Sequence, residues 1–129
     1  MCFSAQADLV AGVVVTGVGI DVCRHVAGRR DLWLLASIPL VLGAHQLVEL
    51  FVWWGLQGHV DADLGRVAMW VYLIVAFVVL PVLIPLAVLT LEPTAARRAR
   101  MIPFVVLGAV VSVLLAWGLA RGPVDVTIE

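Results

Sequence analysis

Four long apolar segments, separated by short polar stretches, organise this sequence. With the charged residues taken as boundaries, the segments cover 5–22, 32–56, 64–91 and 102–120. A helix of about 20 apolar residues, rising about 1.5 Å per residue, crosses the hydrocarbon core of a bilayer. The pattern therefore predicts four membrane-spanning helices, at about 5–26, 32–56, 64–91 and 102–120.

The first segment is the shortest of the four. Its uncharged core, 9–20, has only 12 residues, a length that also suits a buried helix of a soluble protein. We interpret it as a span because the flanking residues continue the helical register. Asp8 and Asp21 would then lie near the two membrane interfaces, and Asp21 would be within one turn of Arg24 or His25.

The last residues follow a different pattern. Residues 124–129 alternate apolar and polar side chains, which is typical of a strand, and no partner strand is evident in the sequence. The predicted fold class is all-α: a single domain, residues 1–129, forming a polytopic transmembrane bundle of four helices with a short strand-like C-terminal tail.

Composition supports a membrane protein. The 129 residues are 64% hydrophobic, against about 45–50% in soluble globular domains, and their mean hydropathy is +1.13. The predicted partner is therefore the lipid bilayer. A formal net charge of -1 excludes the strongly basic balance of a nucleic-acid-binding protein.

The arginines predict the orientation of the helices. Six of them lie in the first and third polar stretches, whereas the second stretch, 57–63, has acidic residues and no Lys or Arg; the six are Arg24, Arg29, Arg30, Arg97, Arg98 and Arg100. Loops rich in Lys and Arg stay in the cytoplasm. We therefore expect a multi-pass protein of the cell membrane with both termini extracytoplasmic.

Polar residues within the second segment form the candidate site. His45, Gln46 and Glu49 lie near the middle of an apolar span, where an ionisable side chain costs about 2.5–3.5 kcal/mol and usually faces other protein. His45 and Glu49 are four residues apart and share one helical face. The predicted topology brings Asp8, Arg66, Tyr72 and Trp53 to the same outer half of the bundle.

This constellation has several interpretations. In a purely structural network, Glu49 pairs with Arg66 or stays protonated, and His45 is a neutral imidazole bonded across the bundle. In a functional site, the same face binds a small ligand, a proton or a partner helix. A metal or haem site is a third interpretation, with His59, Asp61 and Asp63 of the second loop as further ligands. No metal is assigned, and the cofactor stays unknown.

The N-terminal residues add an alternative. If Met1 were removed, Cys2 would carry an amine and a thiol on one residue, an arrangement that serves as a nucleophile or a chelate. Cys2 and Ser4 are therefore candidate nucleophile or ligand residues. A disulfide between Cys2 and Cys23 is excluded, because a continuous helix would hold them about 30 Å apart.

Small residues and prolines predict how the helices pack. Gly108, Ser112 and Ala116 are four residues apart and form a ridge that lets another backbone approach closely. Proline kinks are expected at Pro39 and in the third helix at Pro81 and Pro85.

Short motifs follow one another in a characteristic order. They are Met1-Cys2-Phe3-Ser4-Ala5, an Arg-bearing loop, Pro39-Leu40, Gln46-x-x-Glu49 before Val52-Trp53, and Leu91-Glu92-Pro93. In this order, over nearly the whole chain, the sequence resembles a family of uncharacterised small bacterial polytopic membrane proteins beginning Met-Cys-Phe-Ser-Ala. The resemblance implies a helical membrane protein of unassigned activity and marks Cys2, Ser4, Gln46, Glu49 and Trp53 as positions to test. Relatives commonly have Gln at the position of His45 and continue through further membrane helices.

These observations lead to one main functional hypothesis and two rivals. The main hypothesis is a non-enzymatic membrane protein that binds a small ligand, a proton or a partner helix through His45, Gln46 and Glu49, with Asp8, Arg66 and Trp53 completing the pocket. The first rival is a metalloprotein or enzyme that uses Cys2 with His45 and Glu49. The second is a structural subunit of a homo-oligomer or larger membrane complex, docked through the ridge from Gly108 to Ala116.

Overall fold

Four long helices make up the fold. The computed structural model describes residues 4–122, which form α1 (Ala5–His25), α2 (Trp33–Leu56), α3 (Ala62–Leu91) and α4 (Ala95–Arg121). No strand occurs within this described range. The predicted strand-like tail, 124–129, lies outside the described residues, as do Met1, Cys2 and Phe3.

The surface of the molecule confirms the apolar character predicted for the helices. All four are long and apolar enough to cross a membrane. Large side chains such as Val10, Phe104 and Val113 are more than half exposed, while the buried apolar residues are mostly alanines. An apolar exterior around a small-residue interior is typical of helices packed in lipid. The fold is therefore compatible with a multi-pass membrane protein.

The start of α4 differs from the prediction. The helix begins at Ala95, seven residues before position 102. The prediction was wrong there because Arg97, Arg98 and Arg100 were taken as a boundary, although arginine is a good helix former. What separates α3 from α4 is Pro93, which has no N–H to continue α3. Glu92 reinforces the break, since its Oε1 accepts hydrogen bonds from the Thr94 hydroxyl at 2.7 Å and the Thr94 N–H at 3.2 Å.

The pair α1 and α2 packs in one continuous antiparallel register. Each step of three or four residues forward along α1 meets an equal step backward along α2, and the contacting pairs are Gly12 with Leu47, Thr16 with Gly43, Gly19 with Leu40, and Cys23 with Ala36. A Cβ on Gly19 would lie 2.5 Å from the Leu40 backbone nitrogen. Glycines are therefore what allow these two backbones to come together.

Glycines also join α2 to α3. A Cβ built on Gly55 would lie 2.7 Å from the Cα of Gly65, so the two helices touch backbone to backbone where the second loop connects them. That loop turns at Gly58, whose φ of +72° is a left-handed value that glycine adopts without strain. The close approach fixes which face of α3 is turned toward α2.

A π-helical segment, Val75–Val79, interrupts α3 at its middle. The Leu80 N–H donates to the Val75 carbonyl five residues back, directly before Pro81, which has no N–H to donate. The Ser112 hydroxyl of α4 donates to the Val78 carbonyl in this segment, at 2.8 Å. A side chain from α4 thus satisfies backbone in the irregular part of α3.

The ridge predicted as a docking surface packs inside the molecule. Gly108 and Ser112 are buried, Gly108 against the backbone of Pro81 and the ring of Pro85. The expectation that this ridge is exposed for docking in a larger assembly is therefore wrong. Its small residues allow α4 to approach the proline-bearing half of α3.

Candidate functional site

Three ionisable side chains are buried where α1 and α2 pack together. Asp8 of α1 is 5% exposed, and His45 and Glu49 of α2 are 8% and 6% exposed. They lie in the half of the fold that contains the loop between α2 and α3. The glycine contacts along α1 and α2 bring Asp8 against this part of α2. We name Asp8, His45 and Glu49, together with Tyr72 of α3, the polar cluster.

Asp8 has a local reason to lie in the first turn of α1. The Ser4 side chain caps this helix, accepting a hydrogen bond from the Ala7 N–H at 3.2 Å, and a carboxylate one turn later is stabilised by the positive end of the helix dipole. The capping explains Ser4 as a structural residue. The cap gives no hydrogen bond to the Asp8 Oδ2 atom, which is buried and has no hydrogen-bond partner within residues 4–122.

The His45 ring stacks on a tyrosine of the neighbouring helix. Its centroid is 4.3 Å from that of Tyr72, and the ring planes differ by 16°. The Nδ1 atom of His45 is buried and, among the described residues, has no hydrogen-bond partner. His45 is thus held by ring contact, and one polar atom of its imidazole stays available.

Tyr72 completes the polar cluster from α3. It follows Gly65 and Ala68, which are buried, at spacings of seven and four residues, so the three share the face that Gly55 holds against α2. It stacks on His45 and lines the same cavity as Glu49. The sequence predicted that Tyr72 lies in the same half of the bundle as His45 and Glu49, but it did not predict that Tyr72 stacks on His45. The stripe of small residues before Tyr72 was the signal that could have revealed it.

A half-open cavity of about 200 Å³ adjoins the cluster. It lies between α2 and α3, toward the loop that connects them, and is lined by Glu49, Val52, Trp53, Leu56 and Tyr72. Glu49 is the charged residue of this lining, and Trp53 and Tyr72 give it two aromatic walls. Trp53 was a candidate from the sequence, and the structure places it at this cavity.

Two of the predicted site residues lie away from the cluster. Arg66 is exposed and makes no ion pair with Asp8 or Glu49; within the described range, ion pairs join Asp21 to His25 and Arg29 to Asp31. Arg66 directly follows Gly65, so it is rotated about 100° away from the face that meets α2. Gln46 is half-buried and is rotated from His45 by the same angle. The predicted pairing of Glu49 with Arg66 is therefore wrong.

The described part of the chain has no cluster of residues that would support the metal hypothesis. Between residues 4 and 122, no group of three or more His, Cys, Asp or Glu side chains is arranged to hold a metal ion. His59, Asp61 and Asp63 of the second loop are exposed. Cys2, on which the enzyme alternative depends, lies outside the described residues.

Comparison with known proteins places the chain in a family. No curated protein and no solved structure matches it. A family model does match, over residues 1–129, and its description is a family of unknown function, DUF6629. The expectation of an uncharacterised family is thereby confirmed, and the chain belongs to the DUF6629 family.

Proposed function

We propose that this chain is an integral membrane protein that binds a small organic cation at the polar cluster, with the ammonium group in the adjoining cavity. The cation lies between the aromatic rings of Trp53 and Tyr72 and is neutralised by Glu49 and Asp8. The observation that carries the proposal is the composition of the cavity lining, which includes one acidic residue, Glu49, and two aromatic residues, Trp53 and Tyr72. Acidic groups and aromatic faces together are a common binding site for ammonium groups.

The unpartnered atoms of the cluster support the same ligand. A buried carboxylate oxygen without a hydrogen-bond partner is costly, and more so at membrane depth. Asp8 Oδ2 is such an atom, and it belongs to the helix that packs against the α2 face carrying His45 and Glu49. A second acidic residue in the polar cluster favours a cation over a neutral ligand or an anion.

The size of the cavity limits the ligand. Pockets for drug-sized molecules have volumes of about 300–1,000 Å³, whereas this one has about 200 Å³. The binding group is therefore a small ammonium ion, such as methylammonium or the ammonium end of a larger molecule.

The orientation of the protein in the membrane belongs to the proposal. Six arginines, in the last turn of α1, on the first loop and at the start of α4, lie at the end opposite to the polar cluster. With this end in the cytoplasm, the cavity lies in the outer half of the membrane. The cation then enters from the extracytoplasmic side.

The test is thermal unfolding of the purified protein in lipid nanodiscs with methylammonium chloride, compared with sodium chloride at equal ionic strength. Methylammonium at about 100 times its dissociation constant should stabilise the folded state by about 2.7 kcal/mol, and the unfolding temperature should rise. Asp8→Asn should abolish this rise. Asp21→Asn, an acid-to-amide change at an exposed position of the same helix, should preserve it.

Two results would contradict the proposal. In one, methylammonium and sodium chloride give the same unfolding temperature over the whole concentration range. In the other, Asp8→Asn and Asp21→Asn reduce the effect of methylammonium equally. The second result would mean that general surface charge, and not the polar cluster, attracts the cation.

A further inference from the structure

We infer that the arginine-bearing end of the molecule holds an anionic phospholipid, with an acyl chain in the groove between α1 and α2 and the phosphate on the first loop. This site lies at the opposite end from the polar cluster. It is independent of the proposed cation site, since the two share no residue.

The groove suits a hydrocarbon chain. Its volume is about 360 Å³, and its lining is entirely apolar: Val22, Val26, Leu32, Leu35, Ala36, Ile38 and Pro39. One backbone acceptor of its wall is satisfied from α1, because the Cys23 thiol donates to the Ala36 carbonyl at 3.3 Å. An acyl chain would bury the apolar side chains of the lining.

The end of α1 and the loop that closes the groove carry a surplus of positive charge. Arg24, in the last turn of α1, and Arg29 and Arg30 of the loop are all exposed. Each of the two nearby acids lies close to another residue of this end: Asp31 is 3.4 Å from Arg29, and the Asp21 carboxylate is 3.5 Å from the His25 Nδ1 atom. Arg24 and Arg30 make no ion pair with any residue that the structure describes.

Charge and groove together identify the ligand. Guanidinium groups bind phosphate oxygens through paired hydrogen bonds, and basic residues beside a membrane span attract anionic lipids. A free phosphate would use the arginines and leave the groove empty. A neutral lipid would use the groove and leave Arg24 and Arg30 without a counterion. An anionic phospholipid, such as phosphatidylglycerol, uses both.

The test is native mass spectrometry of the full chain, released from detergent micelles that contain phosphatidylglycerol or phosphatidylcholine with the same acyl chains. The wild-type protein should retain phosphatidylglycerol at lower lipid concentration than phosphatidylcholine. The double variant Arg24→Gln/Arg30→Gln should weaken phosphatidylglycerol binding by about fivefold for each arginine. The matched control is Arg97→Gln/Arg98→Gln, which removes the same charge from the same end of the bundle but on α4.

A second variant tests the groove itself. Val26→Trp fills the groove with a side chain and should weaken the binding of both lipids, while all arginines stay in place. Equal losses for the two arginine double variants would overturn the inference, because the lipid would then respond to overall charge. Unchanged binding in Val26→Trp would also overturn it, because the acyl chain would then lie elsewhere.

Discussion

The imidazole ring of His45 and the phenol ring of Tyr72 stack with their centroids 4.3 Å apart. This contact joins the middle of α2 to α3, beside the cavity that Glu49 and Tyr72 line. It depends on the approach of Gly55 to Gly65 about two turns away, because that approach turns the Tyr72 face of α3 toward α2. The packing of Gly55 on Gly65 thus positions the Tyr72 ring beside His45 and Glu49.

The cost of burying Asp8 can be measured directly. Its Oδ2 atom has no partner within residues 4–122, so Asp8→Leu should raise the free energy of unfolding, by about 1–3 kcal/mol. The same variant should lose stabilisation by methylammonium. Asp21→Leu should give no such gain, because Asp21 is exposed and paired with His25. Thermal unfolding of the three proteins in one detergent measures both effects, and a large loss of stability in Asp8→Leu would show that Asp8 is already satisfied.

The glycines of α1 provide a matched pair for the packing of α1 on α2. A Cβ on Gly19 would lie 2.5 Å from the Leu40 backbone, whereas one on Gly17 would have nothing within 4 Å. Gly19→Ala should therefore destabilise the protein by about 1–3 kcal/mol. Gly17→Ala should be neutral or stabilising by up to about 1 kcal/mol, since alanine is the better helix former. Equal unfolding temperatures for the two variants would refute the close contact.

The hydrogen bond between α4 and the π-helical segment of α3 predicts a second contrast. Ser112→Ala removes the 2.8 Å bond to the Val78 carbonyl and should cost about 0.6 kcal/mol, the average for such bonds in membranes, and up to about 1.7 kcal/mol. Ser37→Ala is the control, because the Ser37 hydroxyl bonds to Leu34 of its own helix. Unfolding by denaturant in mixed micelles measures both, and a larger loss for Ser37→Ala would contradict the assignment.

The connection between α3 and α4 predicts a pH dependence. The hydrogen bond from the Thr94 hydroxyl, with further help from the Thr94 N–H and Arg97, holds the pKa of Glu92 below its usual value of 4.5. A pKa that is lower in the folded state stabilises the fold above the unfolded-state pKa, and this stabilisation is lost as pH falls through the folded-state pKa. Thr94→Val should raise the pKa of Glu92 toward 4.5.

Carboxyl ¹³C NMR titration measures this change in pKa. Thr90→Val is the matched control, because the Thr90 hydroxyl bonds to the Ala87 carbonyl and not to Glu92. A Glu92 pKa that is unchanged by Thr94→Val would mean that the hydroxyl does not hold the carboxylate.

Much of the fold was predictable from the sequence because an apolar stretch in a membrane has few alternatives to a helix. The start of α4 was not, since the arginines that mark a membrane boundary do not mark the end of a helix. The pairing of the helices was not predictable either. The register of α1 on α2 depends on glycines of both helices, such as Gly19 and Gly43, each of which lies against the backbone of the other helix. The residue pattern of one helix alone does not predict this register.

The polar cluster was predictable in part for a related reason. Asp8, His45 and Glu49 were expected to face inward because burial against protein is the main alternative to contact with lipid. Arg66 was misplaced because depth in the membrane was inferred without the helical face. Gly65 faces α2, and a single residue step takes Arg66 out of the contact.

The most direct test of the cation site is an intermolecular nuclear Overhauser effect between the methyl group of methylammonium and the ring protons of Tyr72, in protein reconstituted into nanodiscs. Tyr72 is the one tyrosine in the sequence, so tyrosine labelling makes the assignment unambiguous. We predict a cross-peak in the wild-type protein and its loss in Asp8→Asn. Absence of the cross-peak at saturating methylammonium, with the Tyr72 ring resonances visible, would contradict the account.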